Sequence, residues 1–219
     1  MSARRQPVEP PVAIELRDLT DYDGSGVEPG DDVDGVSFDG VDLSGSNATG
    51  ATFLETRLRG CRADGLRADR ARFVDCELSG LQAVDLSAER STWRDCLLAD
   101  CRIGALSAPR AQLDRVRIRG GKLDFVNLRA ARLADVVLES CVVGELDVGD
   151  AQLTDVRLFD VRVDTLRLHG VTLERVDLRG ARIATLHGPE HLRGAIVSGD
   201  QLQELAPVFA EHFGLVVED

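Results

Sequence analysis

Apolar side chains recur at every fifth position along most of this 219-residue chain. Thirty successive positions at that spacing, from Phe38 to Ile183, hold 14 Leu, 6 Ala, 3 Phe, 3 Ile, 3 Val and Trp93. The residues two places earlier, from Val36 to Ala181, are all small or aliphatic. These two sets of positions are the inward phases of the repeat, and none of the 45 charged residues between positions 36 and 188 falls in either of them. Such strict self-similarity is the sequence signature of a repeat architecture.

A period of five fits neither an α-helix nor a flat strand. Two inward residues separated by one outward residue form a short extended segment, and the other two residues of each unit turn a corner. A second period, four times as long, is visible in Phe53, Phe73 and Trp93. Four units of five make four sides, so the pattern predicts a four-sided coil in which equivalent positions stack from one coil to the next.

The units 51–55 (ATFLE), 126–130 (VNLRA) and 176–180 (VDLRG) resemble the A(D/N)LXX signature of the pentapeptide-repeat family. This resemblance implies an all-β solenoid, a right-handed quadrilateral β-helix, for which 30 units predict about seven to eight coils with a short C-terminal α-helical cap. We predict an acidic, Pro-containing N-terminal extension or cap over residues 1–32, the β-helix over 33–197, and a cap or dimerisation element over 198–219. Within the extension, residues 11–16 could form a short strand that covers the first coil.

Helix signals follow the repeat. Ser198 and Gln201 have the spacing of a capping box, and Gly214 is a favourable stop. Pro207 is predicted to kink this helix or to start a second one. Residues 215–217 are then expected to form a short strand. Because the phase of five fails near residue 188, a partial coil in a shifted register is expected over 192–197.

The helical tail is similar to the C-terminal segment of fluoroquinolone-resistance members of the family, which use it to form a head-to-head dimer. This resemblance implies a homodimer, with a monomeric end cap as the alternative. The apolar residues at helical spacing, which form the predicted dimer interface, are Leu202, Leu205, Phe209 and Phe213.

Two columns of charge are predicted on the outside of the rod, and each is either a solvated ladder with weak cross-coil ion pairs or a partner surface. The acidic column, interrupted by Arg115, comprises Asp75, Asp95, Asp135 and Asp155. The basic column comprises Arg62, Arg102, Lys122, Arg162 and Arg182. Outward apolar residues could also mark a partner surface: Leu54, Val74, Leu97, Val137, Phe125 and Phe159.

The candidate chemistry is sparse. All five cysteines occupy an inward packing phase, so neither a disulfide framework nor a cofactor site is predicted. His187 and His191 are close in sequence but have no clear third ligand, so no metal site is predicted. Regular coils without insertions offer no pocket for a reaction, and we therefore expect no enzyme activity and no catalytic residues.

The net charge of −12 lies mostly at the ends of the chain. Residues 1–35 hold 9 acids and 3 bases, residues 36–188 hold 23 and 22, and residues 189–219 hold 6 and 1. This balance disfavours direct contact with nucleic acid. No run of 18 apolar residues and no signal-like segment is present, so a cytoplasmic protein without a membrane partner is expected.

The pattern as a whole favours a non-catalytic module that binds a protein partner. The alternative, implied by the resistance members of the family, is a DNA mimic that binds DNA gyrase and protects or inhibits it, in resistance or in self-immunity. The nearly neutral rod argues against that alternative, since a DNA mimic needs a continuous negative face.

Overall fold

In the computed structural model, residues 9–10, 13–16, 18–24 and 26–216 are described. The chain forms a β-solenoid, and the strand pairs of this described part are parallel, as the period of five implies. Successive coils pair in the register that the sequence predicts, so that Phe53 lies opposite Phe73, and Phe73 lies opposite Trp93. Ten paired strands lie along one side, and the solenoid has about nine turns. The sequence predicted seven to eight coils, and the additional turn comes from the ends of the rod.

The strands form two sheets, and the first wraps around two neighbouring sides of the rod. Its strands are Thr20–Asp21, Asp32–Asp34, Val36–Asp39, Thr52–Leu54, Arg57–Arg59, Arg72–Val74, Glu77–Ser79, Thr92–Ala99, Gln112–Arg119, Arg132–Ala134, Val137–Glu139, Gln152–Thr154, Arg157–Phe159, Thr172–Glu174, Val176–Asp177 and Ala195–Ile196. Those of the second sheet are Leu66–Arg67, Gln82–Ser87, Arg102–Ser107, Lys122–Asn127, Val142–Asp147, Val161–Arg167 and Ala181–His187.

The core is the column of side chains predicted from the repeat. Every central apolar position from Phe38 onwards is buried except Ile183, the last one. Stacking is direct for the aromatic residues, because the Phe53 and Phe73 ring centroids lie 4.8 Å apart and those of Phe73 and Trp93 lie 3.9 Å apart. The five cysteines are free and buried in the predicted packing phase.

The N-terminal end of the rod is closed by residues just before the repeat. Thr20 pairs with Val36, a shorter step along the chain than in the regular coils, and the Tyr22 ring stacks on Phe38 with centroids 4.5 Å apart. Val27 is buried in the same core. The strand suggested for residues 11–16 is not formed at 13–16, and residues 11 and 12 lie outside the described part of the chain.

The C-terminal end is closed by a shifted partial coil and a helix. Val176 pairs with Ala195, so the register shortens by one position after a short 3-10 helix at Pro189–His191. Helix α1 spans Gly199–Phe213, with the capping box at Ser198 and Gln201 in place. The Gln201 amide also donates to the carbonyls of Leu178 at 2.6 Å and Ala181 at 2.7 Å, on the last regular coil.

Two expectations for this tail differ from the structure. Pro207 lies inside one continuous helix and starts no second helix; it is exposed, so water can solvate the carbonyl that its missing N–H leaves without a partner. Leu215 and Val216 belong to no strand, and residue 217 lies outside the described residues. Across the described residues, α1 and every other helix are too short or too polar to cross a bilayer.

Candidate functional site

The basic column runs along the second sheet, where parallel pairing stacks outward residues of successive coils. Arg102 lies opposite Lys122, and Lys122 lies opposite Val142. Three of the five basic residues are paired with the carboxylate two positions further along their own coil. These pairs are Arg62 with Asp64 at 3.0 Å, Lys122 with Asp124 at 2.6 Å, and Arg162 with Asp164 at 3.0 Å.

Arg102 and Arg182 have no such carboxylate, because Gly104 and Ala184 occupy the position two residues on. In the described part of the chain, neither guanidinium forms an ion pair, and both side chains are exposed. The sequence placed all five basic residues in one column, whereas the structure separates two unpaired charges from three paired ones.

Arg102 borders an open hollow of about 660 Å³. Gly104 and Gly121, which have no side chains, line the hollow, and at Gly104 the coils approach so closely that a Cβ atom would lie 2.5 Å from the Val84 carbonyl oxygen. At the edge of the hollow, the Val84 side chain is 70% exposed. Phe125 and Val142, each 37% exposed, lie on the next two strands of the same sheet. We call this surface the basic face, defined by Val84, Arg102, Gly104, Lys122, Phe125 and Val142.

The acidic column does not form a negative stripe. Arg115 makes a bidentate contact with Asp95 at 2.6 and 2.7 Å, and Arg175 makes the same contact with Asp155 at 2.6 and 2.7 Å. Asp135 and Asp155 are only 2% and 5% exposed. The residues of this column lie at one corner of successive coils. Arg115 and Arg175 neutralise the aspartates that they contact.

Asp75 differs from the other members of this column. Partial burial, together with the neighbouring charges of Asp95 and Glu55, raises the pKa of its carboxyl. A raised pKa means that the charged form of Asp75 is disfavoured at this corner.

The chain's own N-terminal segment covers another side of the rod. Arg117 donates to the Pro10 carbonyl and lies 3.6 Å from Glu9, which also pairs with Arg157 at 2.6 Å. Leu97 and Val137, in the same outward phase, are buried with 2% and 5% exposure. The expectation that these two residues lie on the outer surface was wrong. The five-residue period describes only the repeat itself and cannot indicate that a segment from outside the repeat packs over it.

The predicted dimer residues lie along one stripe of α1 and differ in exposure. Leu205 packs against the core at the end of the rod, and Phe209 is half-buried. Leu202 and Phe213 are exposed, followed by exposed Leu215 and Val216. The two ends of the stripe are therefore only partly covered by the rod.

A group of potential metal ligands lies between the rod and α1. The ligand atoms of His169, Glu190 and His191 all lie within 4.8 Å of one another. His212, in the last turn of α1, has its Nδ1 3.6 Å from Glu190 Oε2. The sequence paired His191 with His187, whereas the structure groups His191 with His169 and Glu190 and leaves His187 outside the cluster. The 20-residue period could have revealed this group, because it places His169 one coil below Pro189, where the segment with Glu190 and His191 begins.

Comparison with solved structures returns other repeat rods at low similarity. QnrB1, a plasmid-mediated fluoroquinolone resistance protein, is 18% identical over 91% of this chain and 96% of its own, with a TM-score of 0.26. HetL, from the cyanobacterium Nostoc sp. and involved in heterocyst differentiation regulation, is 18% identical over 80% of this chain and 92% of its own, with a TM-score of 0.27. No curated protein matches the chain.

The family model for pentapeptide repeats matches residues 32–62 and finds 8 copies. The structure carries the same repeat independently, through the coil-to-coil register and the buried inward phases. The chain therefore belongs to the pentapeptide-repeat family.

Proposed function

We propose that the protein is a non-catalytic binding module whose basic face contacts an acidic surface on a protein partner. The unpaired, exposed Arg102 beside the hollow at Gly104 carries this proposal. Lys122 and Arg162 on the same sheet are each paired with a carboxylate of their own coil, whereas Arg102 offers a charge that a partner carboxylate can pair with.

The apolar part of the basic face adds area that burial would stabilise. Val84 lines the hollow together with Arg102, and Phe125 and Val142 lie on the next two strands, which adds exposed apolar area on the same side of the rod. Aromatic and Arg side chains are the residue types enriched at the centres of protein interfaces. A nucleic acid fits less well, because Asp124 and Asp164 line the same sheet and the whole chain carries a net charge of −12.

Charge reversal at Arg102 tests the proposal. Tagged wild-type protein and an Arg102→Glu variant would be used to capture partners from cytosol, with Arg132→Glu as the matched control. Arg132 is also an exposed strand arginine without an ion pair among the described residues, but it lies on the first sheet. We expect capture to fall at least tenfold for Arg102→Glu and to be retained for Arg132→Glu. Equal capture by all three proteins would contradict the proposal.

The alternative, a DNA mimic acting on gyrase, is less well supported by the charges. Arg115 and Arg175 neutralise aspartates of the acidic column, and Asp135 is buried. A supercoiling assay distinguishes the two functions. Inhibition that is lost in an Asp75→Asn, Asp95→Asn double variant and kept in Arg102→Glu would favour the mimic.

We also propose that two chains associate through the exposed ends of the apolar stripe of α1. Leu202 is 53% exposed and Phe213 is 68% exposed, which leaves apolar side chains that a second copy could cover. Light scattering at tens of micromolar should give a dimer for wild type and a monomer for Leu202→Glu, Phe213→Glu. Phe159→Glu, an equally apolar exposed site on the rod, should remain dimeric. A monomeric wild type would exclude this association.

A further inference from the structure

We propose that His169, Glu190, His191 and His212 form a zinc site that fastens the C-terminal helix to the end of the rod. The site is independent of the basic face and of dimer formation. Three of the four histidines in the chain meet at one glutamate, although they come from three separate structural elements.

The fold brings the ligands together in two steps. His169 occupies a corner of the last regular coils, and the 3-10 helix at Pro189–His191 lies one coil later on the same side. The rings of His169 and His191 are in edge-to-face contact, with centroids 5.5 Å apart. Glu190 Oε1 lies 3.5 Å from His191 Nε2. These contacts place two imidazoles and one carboxylate around a common point.

Helix α1 supplies the fourth ligand. His212 is in the last turn of α1, and its Nδ1 lies 3.6 Å from the second oxygen of Glu190. Ligands around tetrahedral zinc are about 3.3 Å apart, since zinc bonds to nitrogen and oxygen measure about 2.0–2.2 Å. The present separations, up to 4.8 Å among the first three residues, are longer than that, so zinc would draw the side chains closer together.

The donor set selects the class of metal. Imidazole nitrogens with one carboxylate suit zinc and neighbouring transition metals, whereas calcium and magnesium prefer sites made of oxygen. Cys101 and Cys141 are poor competitors, because burial raises the pKa of their thiols to about 11 and so keeps them protonated.

The consequence of binding is mechanical. No residue of α1, which lies entirely within the described part of the chain, is buried. Its docking depends on Gln201, Leu205 and a few neighbouring contacts at the helix N-terminal half. A metal that joins His212 to Glu190 and His169 would fix the C-terminal half as well. Zinc would thereby hold the exposed C-terminal turn of α1 in a defined orientation.

Titration of the full-length, tag-free protein with Zn²⁺ tests the site, with Mg²⁺ as the negative probe. We expect one zinc per chain for wild type, loss of binding in His169→Ala and His191→Ala, and at least tenfold weaker binding in His212→Ala. His187→Ala is the matched control, since His187 lies at the same end of the rod but outside the cluster, and its affinity should be unchanged.

Three results would overturn the proposal: no saturable Zn²⁺ binding at tens of micromolar protein, one zinc per two chains, or equal losses in His187→Ala and His191→Ala. A second readout isolates the role of the helix. Zinc should slow cleavage by a Glu-specific protease at Glu204 and Glu211 at least fivefold in wild type and leave it unchanged in His212→Ala. Unchanged cleavage in wild type would overturn the fastening role. The ligands are exposed or half-exposed, so the variants should fold, which circular dichroism checks.

Discussion

Arg117 and Pro10 are far apart in sequence, yet the Arg117 guanidinium donates a hydrogen bond of 3.2 Å to the Pro10 carbonyl. Arg117 is buried beneath the N-terminal segment and also pairs with Glu139 at 2.6 Å. Through this contact, Glu9 and Pro10 cover part of one side of the rod, whereas Arg102 and Lys122 of the basic face are exposed. It also makes the N-terminal extension part of the folded structure at Glu9 and Pro10.

Replacing Arg117 by Ala should release this segment. The change leaves Glu139 without its cation and the Pro10 carbonyl without its donor, so we expect a loss of about 2–4 kcal/mol in the free energy of unfolding. Urea denaturation measures that loss, and limited proteolysis should show faster cleavage near Glu9. Arg119→Ala, an exposed neighbour on the same strand, should change neither quantity. Equal stability of the two variants would show that the segment is not held by Arg117.

Gln201 should matter more than an ordinary helix cap. Its side chain completes the capping box and also donates to the Leu178 and Ala181 carbonyls of the last regular coil. Ser198→Ala removes only the box, which is worth about 1 kcal/mol. Gln201→Ala removes both interactions and should cost about 2–3 kcal/mol. Hydrogen exchange of the α1 amides compares the two variants, and equal exchange rates would contradict a role for Gln201 at the rod end.

Asp75 should destabilise the native state at neutral pH. The pKa of its carboxyl in the folded state is raised above the ordinary value of 3.8. As the pH falls, the native state therefore binds this proton at a higher pH than the unfolded chain does. The cost of the charged form is present at neutral pH and disappears as the pH drops through the folded pKa towards that ordinary value. Asp75→Asn should therefore raise the melting temperature slightly at pH 7 and leave it unchanged near pH 3. Asn tolerates the positive φ of 52° at this corner. A lower melting temperature at pH 7 would contradict this interpretation.

Cys101 and Cys141 should be inert in the folded protein. Burial raises the pKa of their thiols to about 11, so at pH 8 about 0.1% of each is the reactive thiolate. A thiol reagent at pH 8 should modify neither of them in the native state and both after unfolding in guanidinium. Rapid modification in the native state would show that the packing phase is open to solvent.

The sequence was sufficient to predict what repeats locally. Phe53, Phe73 and Trp93 could be placed in one buried column because each position meets the same environment again in the next coil. The capping box at Ser198 could be predicted for a similar reason, since its two partners are close neighbours in sequence. Both features depend on regular or short-range spacing, which a single sequence displays directly.

Contacts between distant segments were beyond the same reasoning. Leu97 has the phase of an exposed residue and is buried, because the rod also packs against a segment from outside the repeat. The acidic column is different, because a solvated ladder with cross-coil ion pairs was one of its two alternatives, and Asp155 forms such a pair with Arg175. The convergence of His212 on Glu190 depends on how α1 docks, which the repeat does not specify.

Lys122 gives the most direct test of the central claim, because it is the only lysine in the chain and lies within the basic face. Its amine can be labelled with an acylating reagent before and after the captured partner is added, with the chain's α-amino group as the internal reference. Binding through the basic face predicts at least fivefold slower labelling of Lys122 in the complex, with the reference amine unchanged. Labelling of Lys122 at the same rate in free and bound protein would place the partner on another side of the rod and contradict the account.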